Sequence, residues 1–182
     1  MQIETPKGAA TRPTTDRVKE SLFNIIHQLM EGSVVLDLFS GSGSLGIEAL
    51  SRGAKMSVFC DKDLGTTQLI KRNLKHCKLE AHSVVLCCDF KQAVKKISTQ
   101  RADYDKPDIV FLDPPYDTGL LQEALNKIIE ADILTKGAII VAEHAKNDVV
   151  LKEEALQKEY LVVREEKYGD TLISFIKRTV DV

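Results

Sequence analysis

Apolar residues in this chain gather in short unbroken runs, and between the runs they recur every three or four positions. Val34-Val35-Leu36-Asp37-Leu38-Phe39, Met56 to Cys60, Ser83 to Cys88, Asp108 to Leu112 and Ala138 to Glu143 are the runs. Ser44 to Arg52, Leu64 to Lys75, Lys91 to Ile97, Leu120 to Ala131 and a short stretch near Leu151 to Gln157 carry the helical period. Val/Ile/Leu runs without polar alternation are strands buried on both faces. Helices between them make neighbouring strands parallel. The pattern predicts an α/β protein, a doubly wound and mostly parallel sheet with helices on both faces.

The last quarter changes style. Tyr160 to Glu166 and Thr171 to Lys177 are two β-rich runs joined by Lys167-Tyr168-Gly169-Asp170, which reads as a hairpin. The hairpin brings the sheet to seven strands and gives it an antiparallel edge. Ahead of the first strand, Ser21 to Met30 has Leu22, Ile25, Ile26 and Leu29 on one helical face. Pro13, with Thr14, Thr15 or Asp16 as N-cap, signals where this helix starts. No repeat, low-complexity tract or interdomain linker interrupts the pattern, so 1–182 is expected to be one domain.

Composition narrows the class. The 182 residues leave too little chain for a second sizeable core, and 43% hydrophobic with 29% charged residues is globular, not disordered. No apolar stretch approaches the roughly 20 residues of a transmembrane helix. MQIETPKGAA has no signal-peptide core. Cys60, Cys77, Cys87 and Cys88 lack CxxC spacing, and 60, 87 and 88 fall in strand-like runs. They read as small buried hydrophobes in a reducing cytoplasm, and no metal site is expected. The formal charge of -2 excludes a strongly basic nucleic-acid coat but allows a local basic face.

The first strand runs into Asp37-Leu38-Phe39-Ser40-Gly41-Ser42-Gly43-Ser44-Leu45-Gly46. Glycines 41, 43 and 46 match G-x-G-x-x-G, a weak signal for a nucleotide site by itself. Asp61 ends the second strand, where a carboxylate can hold ribose hydroxyls. That suits S-adenosylmethionine and NAD equally. Asp37 separates the two. A fixed anion disfavours a pyrophosphate and suits a ligand carrying ammonium and sulfonium charge, although an Asp can also simply cap the turn. Asp89 ends the third strand and can accept from an adenine amine while Phe90 packs on the ring; a helix cap is its plainer role. Acids 37, 61, 89 and 113 all fall at strand carboxyl ends, where open α/β sheets bind ligands.

Asp113-Pro114-Pro115-Tyr116 closes the fourth strand. Two prolines fix φ and remove backbone donors, so the turn is stiff and its carbonyls stay free to accept. Tyr116 offers a flat face for a nucleobase, and Asp113 a carboxylate for an exocyclic NH2. Pro-Pro alone would be a stiff loop; the acid and the ring make it a clamp for a planar amine. Of the histidines, His144 ends the fifth strand, while His27, His76 and His82 read as structural or exposed. None receives a role.

TRPTTDRVKESLFN (11–24), then VLDLFSGSGSLGIEALSRGA, then DPPY, together resemble the RsmD family. These are bacterial methyltransferases of guanine N2 in small-subunit ribosomal RNA. The resemblance runs from about Gly8 to Lys177 and includes the YGDT hairpin. It implies a class I Rossmann-like methyltransferase fold, with 1–31 a substrate-side segment and helix and 32–182 the core. It places S-adenosylmethionine at Asp37, Ser40, Gly41, Gly43, Asp61, Lys62, Asp89 and Phe90, and the target base at Asp113, Pro114, Pro115 and Tyr116. RNA phosphates would meet Lys7, Arg12, Thr14, Arg17 and Lys19. The implied partner is 16S rRNA in the small subunit or an assembly intermediate, met by a cytoplasmic monomer. The family carries a basic hairpin before the segment matching Lys7-Gly8, where this sequence has six residues. Two other readings compete: an amino-methyltransferase of adenine N6, cytosine N4 or a glutamine amide, and a nicotinamide-dependent reductase. The first is weakened by Asp at 113, the second by leaving DPPY unused.

Overall fold

In a computed structural model the chain is described at residues 3–5, 13–100, 104–116, 118–146, 150–151 and 154–179. It divides into two compact units, Met1–Asp89 and Phe90–Val182. Seven strands form one mixed sheet, ordered β3-β2-β1 in the first unit and β4-β5-β7-β6 in the second.

The first unit contains α1 (Pro13–Ile25), β1 (Val34–Asp37), α2 (Ser44–Ser51), β2 (Met56–Asp61), α3 (Leu64–Cys77) and β3 (Ser83–Cys87). β1 and β2 pair in parallel with Val34 opposite Met56 and Asp37 opposite Phe59. β2 and β3 also pair in parallel, with Asp61 opposite Cys87. Parallel register therefore brings Asp37 and Asp61 to the same end of their strands. α2 packs on β1 and β2, and α3 on β2 and β3. Phe23, Leu36, Ile47, Phe59, Ile70 and Leu74 form the buried centre.

α3 shows how local sequence sets a boundary. Asp63 sits extended at its N-cap and its carboxylate accepts the Thr66 N–H at 2.7 Å, which holds the Asp63 carboxyl below its ordinary range. The helix stops at Lys78, which turns left-handed at φ 59°. At the other contact, Gly46 of α2 lies against β2 so closely that a Cβ would come 2.3 Å from the Phe59 ring and 2.6 Å from Ser57 Oγ. Only glycine permits this approach.

The second unit contains α4 (Phe90–Thr99), β4 (Ile109–Leu112), α5 (Leu120–Glu130), β5 (Ile139–Ala145), α6 (Glu154–Glu159), β6 (Tyr160–Tyr168) and β7 (Thr171–Arg178). β4 and β5 run parallel, and β7 returns antiparallel to β5. β6 pairs antiparallel to β7, with a register shift between Val162 and Arg164. Phe111, Leu125, Ile128, Ile140, Phe175 and Ile176 are buried here.

The expected alternation and the late hairpin are present, with three local corrections. α1 begins at Pro13, so Thr14, Thr15 and Asp16 fall inside its first turn and none is the N-cap. Among its described side chains Val18, Leu22 and Phe23 are buried, as is Ile26 just past its end; a 3-10 turn at His27–Leu29 rotates Leu29 outward to 40% exposure and Met30 inward. Cys87 is exposed, because it ends β3 at the margin of the sheet, while Cys60 and Cys88 are buried. Among the described residues no helix is long and apolar enough to cross a membrane.

Gly46→Ala should destabilise the protein. A methyl there gains roughly 1 kcal/mol of helix propensity but overpacks against Phe59, which costs roughly 1–3 kcal/mol. Urea unfolding should show a lower midpoint at unchanged slope; an unchanged or higher midpoint would contradict the close approach of α2 to β2.

Candidate functional site

The loop after β1 is fastened to β2 by one side chain. The Ser40 hydroxyl donates to the Asp37 carbonyl at 2.7 Å and accepts the Cys60 N–H at 2.9 Å. The Ser40 N–H in turn donates to the Cys60 carbonyl at 3.0 Å. Gly43 then takes φ 80° before the first residue of α2, its N–H donating to the Ser40 carbonyl at 2.7 Å; a side chain would be strained in that left-handed conformation. Asp61 closes the loop from the side. Its Oδ2 accepts the Gly41 N–H at 3.2 Å and its Oδ1 the Asp63 N–H at 2.9 Å. Asp89 follows Cys88, whose N–H donates to the Asp61 carbonyl at 3.1 Å.

The structure thus brings Asp37, Ser40, Gly41, Gly43 and Asp61 around one loop, with Asp89 two residues past the end of β3, whose last residue, Cys87, pairs with Asp61. Lys62 is exposed beside them. Phe90, the first residue of α4, is buried at 6% exposure with the Lys91 ammonium over its ring at 5.7 Å.

Asp37 is the unusual member. It is 1% exposed, and its Oδ2 has no hydrogen-bond partner among the described residues. Burial pushes its carboxyl up to about 7; hydrogen bonds from the Gly46 and Phe39 backbone and from Ser40 oppose the rise, and nearby Asp61 adds to it. A buried carboxylate with an unsatisfied oxygen is costly to keep in a fold. Its field favours a cation brought to this loop and penalises an anion.

In the second unit the Asp113–Tyr116 segment leaves β4 directly. Asp113, Pro115 and Tyr116 are exposed and Pro114 is buried, so the turn is anchored by its first proline. Tyr116 is held by its hydroxyl, which donates to Glu143 Oε1 of β5 at 2.7 Å and lies 3.1 Å from Thr171 Oγ1 of β7. Desolvation, with Glu143 and Asp113 adding to it, moves the phenol up to about 12. The hydroxyl is therefore a fixed donor and the ring, 45% exposed, is held in one orientation. An exposed carboxylate beside a stiff prolyl turn and an immobilised ring is chemically equipped to hold a planar amine.

Glu143 and Thr171 were not visible as partners of the motif, since they lie 27 and 55 positions from Tyr116. His144, next to Glu143, is a core residue: its Nδ1 lies 3.0 Å from the Ala145 carbonyl and its Nε2 2.9 Å from Ser174 Oγ. Of the basic candidates, Lys7 and Arg12 lie outside the described residues. Thr14 stands in the first turn of α1, and Arg17 is exposed on that helix. Lys19 reaches Ser44, the first residue of α2, with Nζ donating to Oγ at 3.3 Å. Among the described residues no group of three or more His, Cys, Asp or Glu is placed to hold a metal ion.

The family model described as Conserved hypothetical protein 95 matches residues 1–177. YlbH of Bacillus subtilis is 40% identical over 176 residues, covering 97% of this chain and 92% of its own. Ribosomal RNA small subunit methyltransferase D of Haemophilus influenzae is 36% identical over 143 residues, covering 79% of this chain and 72% of its own. The solved structure of yhhF from Escherichia coli superposes with a TM-score of 0.79 at 29% identity, covering 98% of this chain and 92% of that one.

Asp37 makes stability depend on pH. The unfolded chain loses this proton near 4, the folded protein only near 7. Between these values the unfolded state binds fewer protons, so rising pH favours unfolding. The loss from this one group is on the order of 4 kcal/mol and is complete above about pH 7. Asp37→Asn should flatten the pH 4–7 slope of unfolding free energy in denaturant titrations. An unaltered slope would show that Asp37 is not the buried acid described.

Proposed function

We propose, from the premise that the chain belongs to the Conserved hypothetical protein 95 family, the RsmD family, that it transfers a methyl group from S-adenosylmethionine to the exocyclic N2 of a guanine in 16S ribosomal RNA. The observation that carries this reading is Asp37, sealed at the end of β1 with a carboxylate oxygen that has no partner among the described residues, and so suited to a cation. In the second unit, taken by itself, Asp113 is exposed after β4 beside the fixed ring of Tyr116.

The residues present fit the cofactor. Asp37 supplies a buried, partly unsatisfied carboxylate for an ammonium and sulfonium ligand. Ser40, Gly41 and Gly43 form the loop, and a Cβ at Gly41 would meet nothing within 4 Å, so that side of the loop is open. Asp61 and Lys62 would border the ribose, and Asp89 and Phe90 the adenine. When bound, S-adenosylmethionine supplies a methyl group already activated on sulfur, so no strong base or covalent enzyme intermediate is needed.

On the acceptor side, Asp113 and the Pro114 carbonyl take hydrogen bonds from the two N2 hydrogens and localise the nitrogen lone pair. Tyr116 stacks on the base, which is turned out of its RNA context for this purpose. Pro114 and Pro115 keep the turn from relaxing, and the Glu143–Tyr116 hydrogen bond keeps the ring from swinging. As the N–C bond forms, the nitrogen loses a proton, which Asp113 accepts and passes to water. Orientation and electrostatics supply most of the acceleration. Arg17 and Lys19, with Lys7, Arg12 and Thr14, meet RNA phosphates near the modified nucleotide. The substrate is the small subunit or an assembly intermediate, recognised by shape, as suits a chain of net charge -2, and the enzyme works as a cytoplasmic monomer.

Asp113→Ala should lower methyl transfer to 16S RNA by about 100-fold or more, with S-adenosylmethionine affinity unchanged. Radiolabel transfer and calorimetry measure the two, and mass spectrometry of digested product identifies N2-methylguanosine. N6-methyladenosine, or a cofactor-binding defect in Asp113→Ala without a turnover defect, would contradict the assignment.

A further inference from the structure

Asn73 lies on the buried face of α3 with Thr67, Ile70 and Leu74, and is 1% exposed. A polar side chain so placed must satisfy its hydrogen bonds locally, and Asn73 does so with two pieces of chain far apart in sequence. Its Nδ2 donates to the Ser42 carbonyl in the glycine loop at 2.9 Å and to the Glu4 carbonyl at 2.9 Å. Its Oδ1 accepts the Glu4 N–H at 2.8 Å. Glu4 is therefore bound through both backbone groups, as it would be by a neighbouring strand, and its carboxylate adds an ion pair to Arg72 at 3.3 Å. That pair is exposed and adds little. The amide of Asn73 is the connection that matters, because it is desolvated and saturated on three of its four hydrogen-bonding positions.

We infer that Asn73 is a positioning residue of the cofactor loop, through which docking of the N-terminal segment and binding of S-adenosylmethionine strengthen each other. This rests on the reading of the glycine loop as the cofactor site. The physical argument is linkage. Ser42 stands between Gly41 and Gly43, so holding its carbonyl from α3 restricts the loop to the conformation the ligand requires. When the ligand orders the loop, the Asn73 amide is fixed in turn. Its other two bonds then hold Glu4 more firmly, and the reciprocal effect has the same size.

The test begins with wild-type protein. Amide hydrogen exchange at Glu4, followed by 15N NMR with and without saturating S-adenosylmethionine, should slow about fivefold or more on binding. Asn73→Ala should weaken cofactor binding about tenfold, raising KM for the cofactor while kcat at saturation stays near wild type. Glu4→Pro removes the N–H bonded to Oδ1 together with the exposed ion pair to Arg72, and should weaken binding severalfold in the same way, whereas Glu4→Gln, which removes the ion pair alone, should bind like wild type. An Asn73 with a purely structural role would lower Tm in Asn73→Ala yet leave Glu4 exchange insensitive to cofactor and Glu4→Pro with wild-type affinity; that result overturns the inference. If wild-type protein shows no calorimetric binding of S-adenosylmethionine, the reading of the loop fails and the inference falls with it.

Discussion

A carboxylate sealed inside the first unit constrains the rest of the site. Asp37 lies at the last position of β1, where the fold gives it partial hydrogen bonding and 1% exposure. A globular protein ordinarily avoids this arrangement, and its cost is visible in the carboxyl being pushed up to about 7. The loop that follows is shaped around it: Ser40 ties the loop to the neighbouring strand, and Asp61 caps it from outside. A carboxyl buried at such expense is useful when something positive draws out its charge. That requirement separates a sulfonium cofactor from a dinucleotide more sharply than the glycine spacing does.

On the proposed function, the second unit has a different task, which is to hold a flat, neutral amine still. Its solution is stiffness. Pro114 is buried and Pro115 prevents the turn from finding another path, while the Tyr116 hydroxyl is pinned between β5 and β7. The antiparallel hairpin thus has a role beyond completing the sheet, since Thr171 at the start of β7 contributes to the anchor. The acceptor carboxylate, Asp113, is exposed where Asp37 is buried. Two aspartates at the ends of neighbouring-type strands thereby differ in the task their surroundings allow.

Much of this was legible in the sequence because it depends on local patterns. Unbroken apolar runs between helical periods gave the strands, and turn chemistry gave Gly43 and the DPPY segment. What escaped was long-range or hidden by residue type. Asn73 received no reading, because its partners Ser42 and Glu4 lie 31 and 69 positions away and nothing local names them. Glu143 and Thr171 have no sequence relation to Tyr116. Pro13 signalled the start of α1, but the cap was placed after it at Thr14, Thr15 or Asp16, although a proline's fixed φ suits the first helical position itself. Cys87 was assigned to the interior from its place in a strand-like run, although a strand at the margin of a sheet has one side open.

The claim on which the account depends is that the buried Asp37 charge is completed by a cationic cofactor. Calorimetry of S-adenosylmethionine binding, run in buffers of different ionisation enthalpy, measures it directly. Binding should release close to one proton at about pH 6, because the cation draws the Asp37 carboxyl back down, and affinity should rise as pH approaches about 7. NADH should not bind. Binding at pH 6 with no proton release, or NADH binding as tightly as S-adenosylmethionine, would contradict the account.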